Sequence, residues 1–366
     1  MNTKSKYRFL FAGGGTGGHI FPAIAVAQQI RLLQPDAQIL FVGTKNKIEA
    51  TAVPFNGFEF KSIWISGFQR KKTVENLLFP LKIIIGTLQS LWINIKFQPH
   101  VAIGTGAYVS GPAIWAANFI GAKIILLEQN SYPGFTNRLL EKKAEQIHIA
   151  FEDSKKYFRE KEKIKLSGNP IRINLVLKNH KESIEHYNLD STKLVLLILG
   201  GSLGARSINK AVFQNLQKLI ESDIQILWQC GKLYYDEYKH LESEKVKVIP
   251  FADDMSILYS AADLILARSG ATTIAEVSFL GLPVIFVPST NVAENHQYIN
   301  AKSIVDKDGA ELIEDKDLNS VLIEKVNELI NNSNRKEILS KNIKLFSKPD
   351  AANLIAKEAI KLSEIL

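Results

Sequence analysis

Two glycine-rich segments in the first half of the chain have the composition of ligand-binding loops. Residues 13–19 read Gly-Gly-Gly-Thr-Gly-Gly-His, and residues 104–112 read Gly-Thr-Gly-Ala-Tyr-Val-Ser-Gly-Pro. Glycine lets the backbone approach a ligand closely, and the N-terminus of a following helix offers unpaired N–H groups to a phosphate. We therefore expect both segments to line one anion-binding crevice. A tight strand-to-helix turn is the alternative for residues 13–19.

His19 and three polar residues further along supply candidate catalytic groups. His19 starts a predicted helix, where the helix dipole disfavours the protonated imidazole and keeps the ring available as a base. Glu128, Gln129 and Asn130 follow a strand predicted over residues 124–127, at the same carboxyl edge of the sheet. His19 is therefore a candidate general base, and a structural histidine is the alternative.

A second candidate site lies in the other half of the chain, after a strand predicted over residues 264–266. Ser269 is the expected N-cap of the helix that follows. Thr272, Thr273 and Glu276 have helical spacing and share one polar stripe of that helix. Hydroxyls above a helix N-terminus, followed by a carboxylate, suit a diphosphate and then a ribose diol. A well-capped helix with a solvated face is the alternative.

Metal and redox chemistry have weak support in the sequence. The single cysteine, Cys230, excludes a disulfide framework and fits a reducing compartment. Asp306 and Asp308 have the Asp-x-Asp spacing of a divalent-ion site, but their stretch is charged and loop-like, so we expect exposed surface. A nicotinamide oxidoreductase would need Gly-x-Gly-x-x-Gly and an acidic residue about 20 positions later. Asp36 falls near that distance, but it lies in a loop-like Gln-Pro-Asp segment.

The elements that must position these residues occur in the same order in both halves. An apolar run over residues 9–12 precedes the first glycine segment and a helical pattern over residues 22–33. Later, an apolar run over residues 194–199 precedes a glycine turn over residues 200–204 and a helical pattern over residues 207–220. Strand, glycine turn and helix form the opening unit of a doubly wound parallel sheet. The sequence therefore predicts two Rossmann-like α/β domains.

Further apolar runs and turn signals define the predicted domains. The remaining strands are predicted over residues 39–42, 101–103, 147–149, 224–228, 246–249 and 284–287. Ser167-Gly168-Asn169-Pro170 is the linker candidate, so we place one domain at residues 1–166 and the other at residues 167–349. A C-terminal helix over residues 350–366 is expected to pack back on the first domain.

The positive charge is concentrated in the first half. Residues 1–166 contain 22 Lys and Arg against 11 Asp and Glu, a net +11, whereas the whole chain carries +8. This asymmetry favours an anionic partner such as nucleic acid, phospholipid or a polyphosphate, with a solvated basic surface as the alternative.

One segment of that half predicts contact with a membrane surface. Arg70, Lys71 and Lys72 precede residues 77–85, the most apolar stretch of the first domain. The longer region 77–95 is too often interrupted to span a bilayer, which takes about 20 apolar residues. We predict a shallow interfacial site on a cytoplasmic protein without a signal peptide, and a core helix is the alternative.

Seven short motifs, in order along nearly the whole chain, together resemble the MurG family of glycosyltransferases. They occupy residues 14–22, 108–112, 128–130, 168–172, 200–205, 268–271 and 296–297. The resemblance implies a GT-B fold, with two Rossmann-like, doubly wound parallel-sheet domains, an interdomain cleft, and neither a required metal nor a cofactor. The implied reaction is inverting transfer of N-acetylglucosamine from UDP-N-acetylglucosamine (UDP-GlcNAc) to undecaprenyl-diphospho-N-acetylmuramoyl-pentapeptide (lipid I), giving lipid II for peptidoglycan.

The resemblance also implies roles for individual residues. Glu276 would bind the ribose hydroxyls, and Ala252 would meet the uracil through its backbone. The implied donor- and substrate-binding residues are Thr16, Gly17, Gly18, Asn130, Arg172, Ser202, Ala252, Ala271, Thr272, Thr273, Ile274, Ala275, Glu276 and Gln297. Leu127 departs from the family, because many members have a histidine there. Ala252 and Thr272 stand where a larger aliphatic residue is common, which backbone contacts would tolerate.

The implied partners are UDP-GlcNAc, lipid I, the anionic inner-membrane surface and other proteins of cell-wall synthesis, but no nucleic acid. The implied location is peripheral, on the cytoplasmic face of the inner membrane. Two competing functions remain. A UDP-sugar 2-epimerase shares the fold but needs no membrane-facing surface, and a non-catalytic binder of anionic lipid or nucleic acid leaves the second-half motifs unexplained.

Overall fold

The computed structural model describes residues 7–67, 78–201, 203–290, 292 and 295–364, and the chain forms two compact units. The first unit comprises Met1–Ile173 and Lys348–Leu366, and the second comprises Asn174–Ser347. Each unit contains one sheet of parallel strands connected through helices. The prediction of two doubly wound α/β domains is confirmed.

The first unit has a seven-stranded sheet of order β3-β2-β1-β4-β5-β6-β7. Its elements are β1 (Arg8–Ala12), α1 (Gly17–Leu33), β2 (Gln38–Gly43), α2 (Glu49–Phe55), β3 (Glu59–Ser62), α3 (Phe79–Phe97), β4 (Val101–Gly104), α4 (Ala107–Phe119), β5 (Lys123–Glu128), α5 (Phe135–Leu140), β6 (Gln146–Ile149) and β7 (Ile164–Leu166). The chain then leaves this unit and returns to it for the last helix, α14 (Ala351–Glu364).

The second unit has a six-stranded sheet of order β10-β9-β8-β11-β12-β13. Its elements are α6 (His180–His186), β8 (Val195–Leu199), α7 (Arg206–Glu221), β9 (Gln225–Gln229), α8 (Tyr235–Tyr238), β10 (Val246–Ile249), α9 (Met255–Ser260), β11 (Leu264–Ala267), α10 (Ala271–Leu280), β12 (Val284–Phe286), α11 (His296–Val305), β13 (Glu311–Leu312), α12 (Leu318–Ile330) and α13 (Ser333–Lys344). In each sheet the first strand in chain order, β1 or β8, lies inside the sheet. The strand order reverses between this strand and its neighbour, β4 or β11.

The apolar run of β1 is continuous because helices cover both faces of the first sheet. Phe9 and Phe11 pack in one core with α1 and α14, whereas Leu10 and Ala12 pack in the other core with α4. A central parallel strand buried on two sides needs apolar residues at every position instead of alternate ones. The glycine segment begins where this burial ends, at the carboxyl end of the strand.

The predicted linker belongs to the interior of the first unit. Residues 167–170 are buried, and a side chain on Gly168 would collide with Lys348, where the chain re-enters this unit. The units therefore divide between Ile173 and Asn174 instead of between residues 166 and 167. Turn residues mark a change of direction, but these four are packed against a segment that is remote in sequence.

Helix α3 covers most of the apolar stretch for which a membrane-surface site was predicted. Leu77, Arg70, Lys71 and Lys72 lie outside the described residues. The buried positions of α3 are Gly86, Ser90, Ile93 and Asn94, while its larger apolar side chains are mostly exposed. Within the described ranges, no helix is both long enough and apolar enough to cross a membrane.

Candidate active site

The first glycine segment forms the turn between β1 and α1. Gly15 has a φ of 81°, in the left-handed region that favours glycine. Helix α1 begins at Gly17, five residues before the predicted start at Pro22, and its N-cap Thr16 makes no side-chain capping bond. The side chain of the N-cap residue therefore makes no hydrogen bond to the backbone N–H groups in the first turn of α1.

His19 is held in one tautomer by two acceptors. Its Nδ1 lies 2.7 Å from the carbonyl oxygen of Thr105 and 3.2 Å from Oε1 of Gln129. Because both partners accept, Nδ1 must carry the hydrogen, which leaves Nε2 as the basic nitrogen. Burial lowers the pKa of His19, against the hydrogen bonds to Thr105 and Gln129 and the negative charge of Glu49. A neutral, oriented imidazole is the form that a general base requires.

Glu128 orders the loop that carries Asn130. Its buried carboxylate accepts hydrogen bonds from the backbone N–H of Asn130 at 3.0 Å and of Gly134 at 2.9 Å. The amide of Asn137 donates to the same carboxylate at 2.8 Å. Burial raises the pKa of Glu128, and these three groups oppose the rise. Sequence reasoning missed Asn137, because nothing before α5 marks it as a partner of a residue nine positions earlier.

Arg172 lies beside the start of α1. Its guanidinium carbon is 5.0 Å from the ring centroid of Phe21, and Phe21 in turn packs so closely on Gly17 that a Cβ there would be 2.9 Å from the ring. The first unit thus brings together Arg172, the glycine segment and His19, although the predicted boundary had placed Arg172 in the second domain.

In the second unit, the start of α10 differs from the prediction. Ser269 was expected to cap the helix, but the N-cap is Gly270, and no side chain caps it. The Ser269 hydroxyl donates instead to the backbone oxygen of Gln297 at 2.8 Å. Oγ1 of Thr272 is buried with no hydrogen-bond partner in the part of the chain that the structure describes. The first turn of α10 therefore keeps donor groups that its own unit does not satisfy.

Glu276 occupies a buried position one turn further along α10. Its carboxylate accepts a hydrogen bond from the Tyr259 hydroxyl at 2.8 Å. A carboxylate withdrawn from water is costly unless polar groups meet it. The alternative of a solvated helix face is therefore wrong for Glu276, while Thr272 and Thr273 are half-buried.

Gln229, which the sequence did not single out, ties two loops of the second unit together. Its Oε1 accepts from the N–H of Gly201 at 2.9 Å, and its Nε2 donates to the oxygens of Gly201 and Pro250 at 3.0 and 3.1 Å. These loops follow β8 and β10, and the second holds the buried Ala252. A polar residue at the carboxyl end of the otherwise largely apolar strand β9 was the available signal. Ser202, in the first loop, lies outside the described residues.

Gln297 and Arg268 complete this carboxyl edge. The side chain of Gln297 accepts from the N–H of Ser289 at 2.8 Å, which joins α11 to the end of β12. Arg268 forms a mostly buried ion pair with Asp315 at 2.6 Å. The predicted residues 252, 271–276 and 297 therefore all lie beyond the carboxyl ends of strands of the second sheet, the edge at which open parallel sheets bind ligands.

Asp306 and Asp308 are engaged in surface ion pairs. Asp306 lies 2.7 Å from Lys302, and Asp308 lies 2.7 Å from Arg335. Across the described ranges, no group of three or more His, Cys, Asp or Glu side chains has an arrangement suited to a metal ion.

Comparison with known proteins also divides the chain into two domains. The N-terminal domain of glycosyltransferase family 28 matches residues 9–149, and the C-terminal domain of that family matches residues 195–355. A protein of Flavobacterium psychrophilum is 44% identical over 98% of each chain. It is named UDP-N-acetylglucosamine–N-acetylmuramyl-(pentapeptide) pyrophosphoryl-undecaprenol N-acetylglucosamine transferase.

Solved structures give the same result at the level of the fold. The crystal structure of Acinetobacter baumannii MurG has a TM-score of 0.74 and 26% identity, covering 97% of this chain and 99% of its own. A putative UDP-N-acetylglucosamine 2-epimerase from Listeria monocytogenes has a TM-score of 0.71 over 98% of this chain and 96% of its own, but only 13% identity, which shows the fold alone. On full-length identity, both family domains and the GT-B fold, the chain belongs to glycosyltransferase family 28 and, within it, to the MurG family of N-acetylglucosamine transferases.

Proposed function

We propose that the chain transfers N-acetylglucosamine from UDP-GlcNAc to lipid I, with inversion and without a required metal, giving lipid II. The observation that carries this function is the 44% identity, over 98% of both chains, to a relative named for that reaction. The polar residues at the carboxyl edges of the two sheets support this function. The second unit supplies a helix start and a buried carboxylate, and the first supplies an oriented base.

The second unit is the proposed donor site. Residues 271–276 would hold the diphosphate and ribose, with Glu276 on the ribose hydroxyls and the backbone at Ala252 facing the uracil. The unsatisfied Thr272 hydroxyl and the uncapped start of α10 support this assignment, because an anion at a helix N-terminus satisfies such groups. Ser202 and Gln297 would contact the diphosphate or sugar.

The first unit is the proposed acceptor side, where Thr16, Gly17 and Gly18 would lie beside the reacting groups. Nε2 of His19 would take the proton of the acceptor hydroxyl as that oxygen bonds to the anomeric carbon. The bond between that carbon and the diphosphate breaks, and UDP leaves with its electron pair. The start of α10 and Arg172 would stabilise the leaving charge, and Asn130 would contact the donor sugar.

The test is incubation with radiolabelled UDP-GlcNAc and a lipid I analogue, with and without a chelator. We expect label to move to the lipid-linked acceptor in both cases. A strict need for a divalent ion would contradict the metal-independent mechanism. Epimerised UDP-sugar formed without acceptor, and no labelled lipid, would instead favour the 2-epimerase function.

We also propose that the chain lies on the cytoplasmic face of the inner membrane, and helix α3 supports the part of this proposal that concerns contact with a membrane surface. Its exposed side carries Ile84, Leu88 and Trp92, which are 58%, 60% and 59% exposed. Three of the four residues on its buried side are small or polar, with Ile93 the exception, and Asn94 donates to the backbone of α4 at 3.3 Å. A helix that packs through its polar side and exposes its apolar side fits a membrane interface better than the core-helix alternative.

A further inference from the structure

Glu49, which neither the motifs nor the proposed mechanism uses, is a fully buried carboxylate beneath the first glycine segment. One oxygen accepts from the backbone N–H of Gly15 at 2.9 Å. The other accepts from the backbone N–H of Thr44 at 3.0 Å and from its hydroxyl at 2.6 Å. A buried carboxylate that is met by three donors is fixed in place.

Two glycines leave the space that this carboxylate fills. A Cβ on Gly14 would collide with the Glu49 carboxyl group, and a Cβ on Gly43 would lie 2.6 Å from its Cγ. Gly14 follows β1 and Gly43 ends β2, so Glu49 locks two neighbouring strand ends to each other. The tight turn at residues 13–15 is therefore shaped around an anionic side chain of this chain.

Tyr108 extends the cluster to a third strand end. A hydrogen bond with Thr44 links Tyr108, on the first turn of α4, to the Glu49 cluster, and opposes the rise in the tyrosine pKa caused by burial and by the charge of Glu49. Other charged or titratable groups on elements near His19 are Arg172, beside the start of α1, and Glu128, which is hydrogen-bonded to the loop after β5. Glu49 is bonded to Gly15, four residues before His19. Burial lowers the pKa of His19, and the negative charge of Glu49 is among the effects that oppose this.

We propose that Glu49 is a positioning residue for the transfer reaction, fixing the loop that leads into His19 and stabilising the imidazolium formed when His19 takes the acceptor's proton. This proposal rests on the assignment of His19 as the base. It also changes the expectation for residues 13–19, because the Gly15 N–H is already bonded to a carboxylate. A substrate phosphate near this segment would have to use the start of α1.

The test compares Glu49→Gln, which removes the charge, with Thr44→Val, which removes the hydrogen bonds of the Thr44 hydroxyl to Glu49 and Tyr108 but keeps the charge. The pKa of His19 is measured by NMR titration of the labelled ring, assigned with a His19 variant. We expect E49Q to lower the His19 pKa further, because the imidazolium loses its counter-charge, and T44V to leave it in place. In E49Q the acidic limb of kcat should move to lower pH. The plateau should fall by up to roughly 100-fold, the scale of a 1 Å displacement of reacting groups.

An unchanged His19 pKa in E49Q would overturn the proposal. A shift in T44V equal to that in E49Q would overturn the role of the Glu49 charge, because it would assign the change in pKa to loop geometry. Circular dichroism and UDP binding check the fold. If E49Q does not fold, Glu49→Asp is the second variant. It moves the charge back by one methylene and should lower the His19 pKa by less than E49Q would. An unchanged His19 pKa in this variant would overturn the proposal. The titration does not depend on catalytic turnover. A wild-type protein without transferase activity would therefore contradict the proposed function without affecting the test of Glu49.

Discussion

At the scale of single residues, the structure distinguishes polar side chains that are hydrogen-bonded within the chain from a few buried polar atoms that have no partner among the described residues. Both polar atoms of the Gln229 side chain are hydrogen-bonded to backbone groups, so this residue holds two loops in place. The Oγ1 atom of Thr272 is buried without such bonds in the described part of the chain. Because folding rarely leaves a buried hydroxyl unpaired, this atom supports the proposed donor site independently of the sequence pattern.

Glu276→Ala should weaken UDP binding far more than acceptor binding. The expected loss is about 1.5–3 kcal/mol for a charge-assisted hydrogen bond, or roughly tenfold or more in affinity. Isothermal calorimetry with UDP measures it, and Glu324→Ala, on an exposed position of α12 in the same unit, is the matched control. UDP affinity equal to wild type would remove Glu276 from the donor site.

His19→Ala should lower kcat by roughly 10²–10⁴-fold, the usual contribution of a general base, with little change in UDP affinity. His148 is the control, because it is buried in β6 and burial lowers its pKa to about 4, so it stays neutral at the assay pH. His148→Ala should reduce stability and leave kcat near wild type. Loss of the circular dichroism signal in the His19 variant would instead favour a structural histidine.

At the scale of elements, α3 reverses the usual arrangement of a surface helix. Most of the residues on its buried side are small or polar, which allows close packing, and Gly86 lies against the backbone of Trp64. Lys96 lies 4.0 Å from the ring centroid of Trp92 on the outer side. Apolar side chains next to lysines are the composition of an interfacial helix, since the cations reach headgroups while the aliphatic residues enter the acyl boundary.

The double change Ile84→Ser and Leu88→Ser should reduce sedimentation with anionic vesicles. Each side chain contributes about 1.5–3 kcal/mol when fully buried, so the partition coefficient should fall at least roughly tenfold. Leu345→Ser, at an exposed leucine of the second unit, is the control. Activity on a short-chain soluble acceptor should persist. Equal vesicle binding by all three proteins would return α3 to the core-helix interpretation.

Most of the strands that the sequence predicted are completely buried. Strands such as β1 and β8 have no water-facing side, so their apolar runs are unbroken and easily read. The edge strand β3, with the sequence Glu-Phe-Lys-Ser, is mostly exposed and has no such run. Glu49 was missed for a different reason, since two of its three donors are backbone N–H groups, and a sequence does not show which loop a buried carboxylate will contact.

At the scale of the whole molecule, the first unit is assembled from two distant parts of the chain. Helix α14 packs on α1, and Ile355, Ala356 and Ala359 are fully buried there. Glu358 on the same helix forms an ion pair with Lys165 of β7 at 2.8 Å. The last helix is therefore part of the core of the first sheet.

Ile355→Ala should destabilise the first unit by about 2–5 kcal/mol, as for other large-to-small changes in a core. Leu354→Ala, one position earlier and exposed, should cost much less. Urea denaturation followed by circular dichroism compares the two variants, and UDP affinity reports on the second unit. Similar midpoints for both variants would contradict the packing of α14.

The adjacency of Gly168 and Lys348 has a consequence for biosynthesis. The chain departs and returns at neighbouring points, so the second unit is a complete domain inserted into the first. A ribosome releases residues 174–347 before α14, whereas multidomain chains commonly finish their N-terminal domain first. The first unit therefore cannot be completed until α14 has been synthesised. Until then, the apolar side that α14 covers is exposed. Chaperone dependence and sensitivity to C-terminal truncation follow from that order of synthesis.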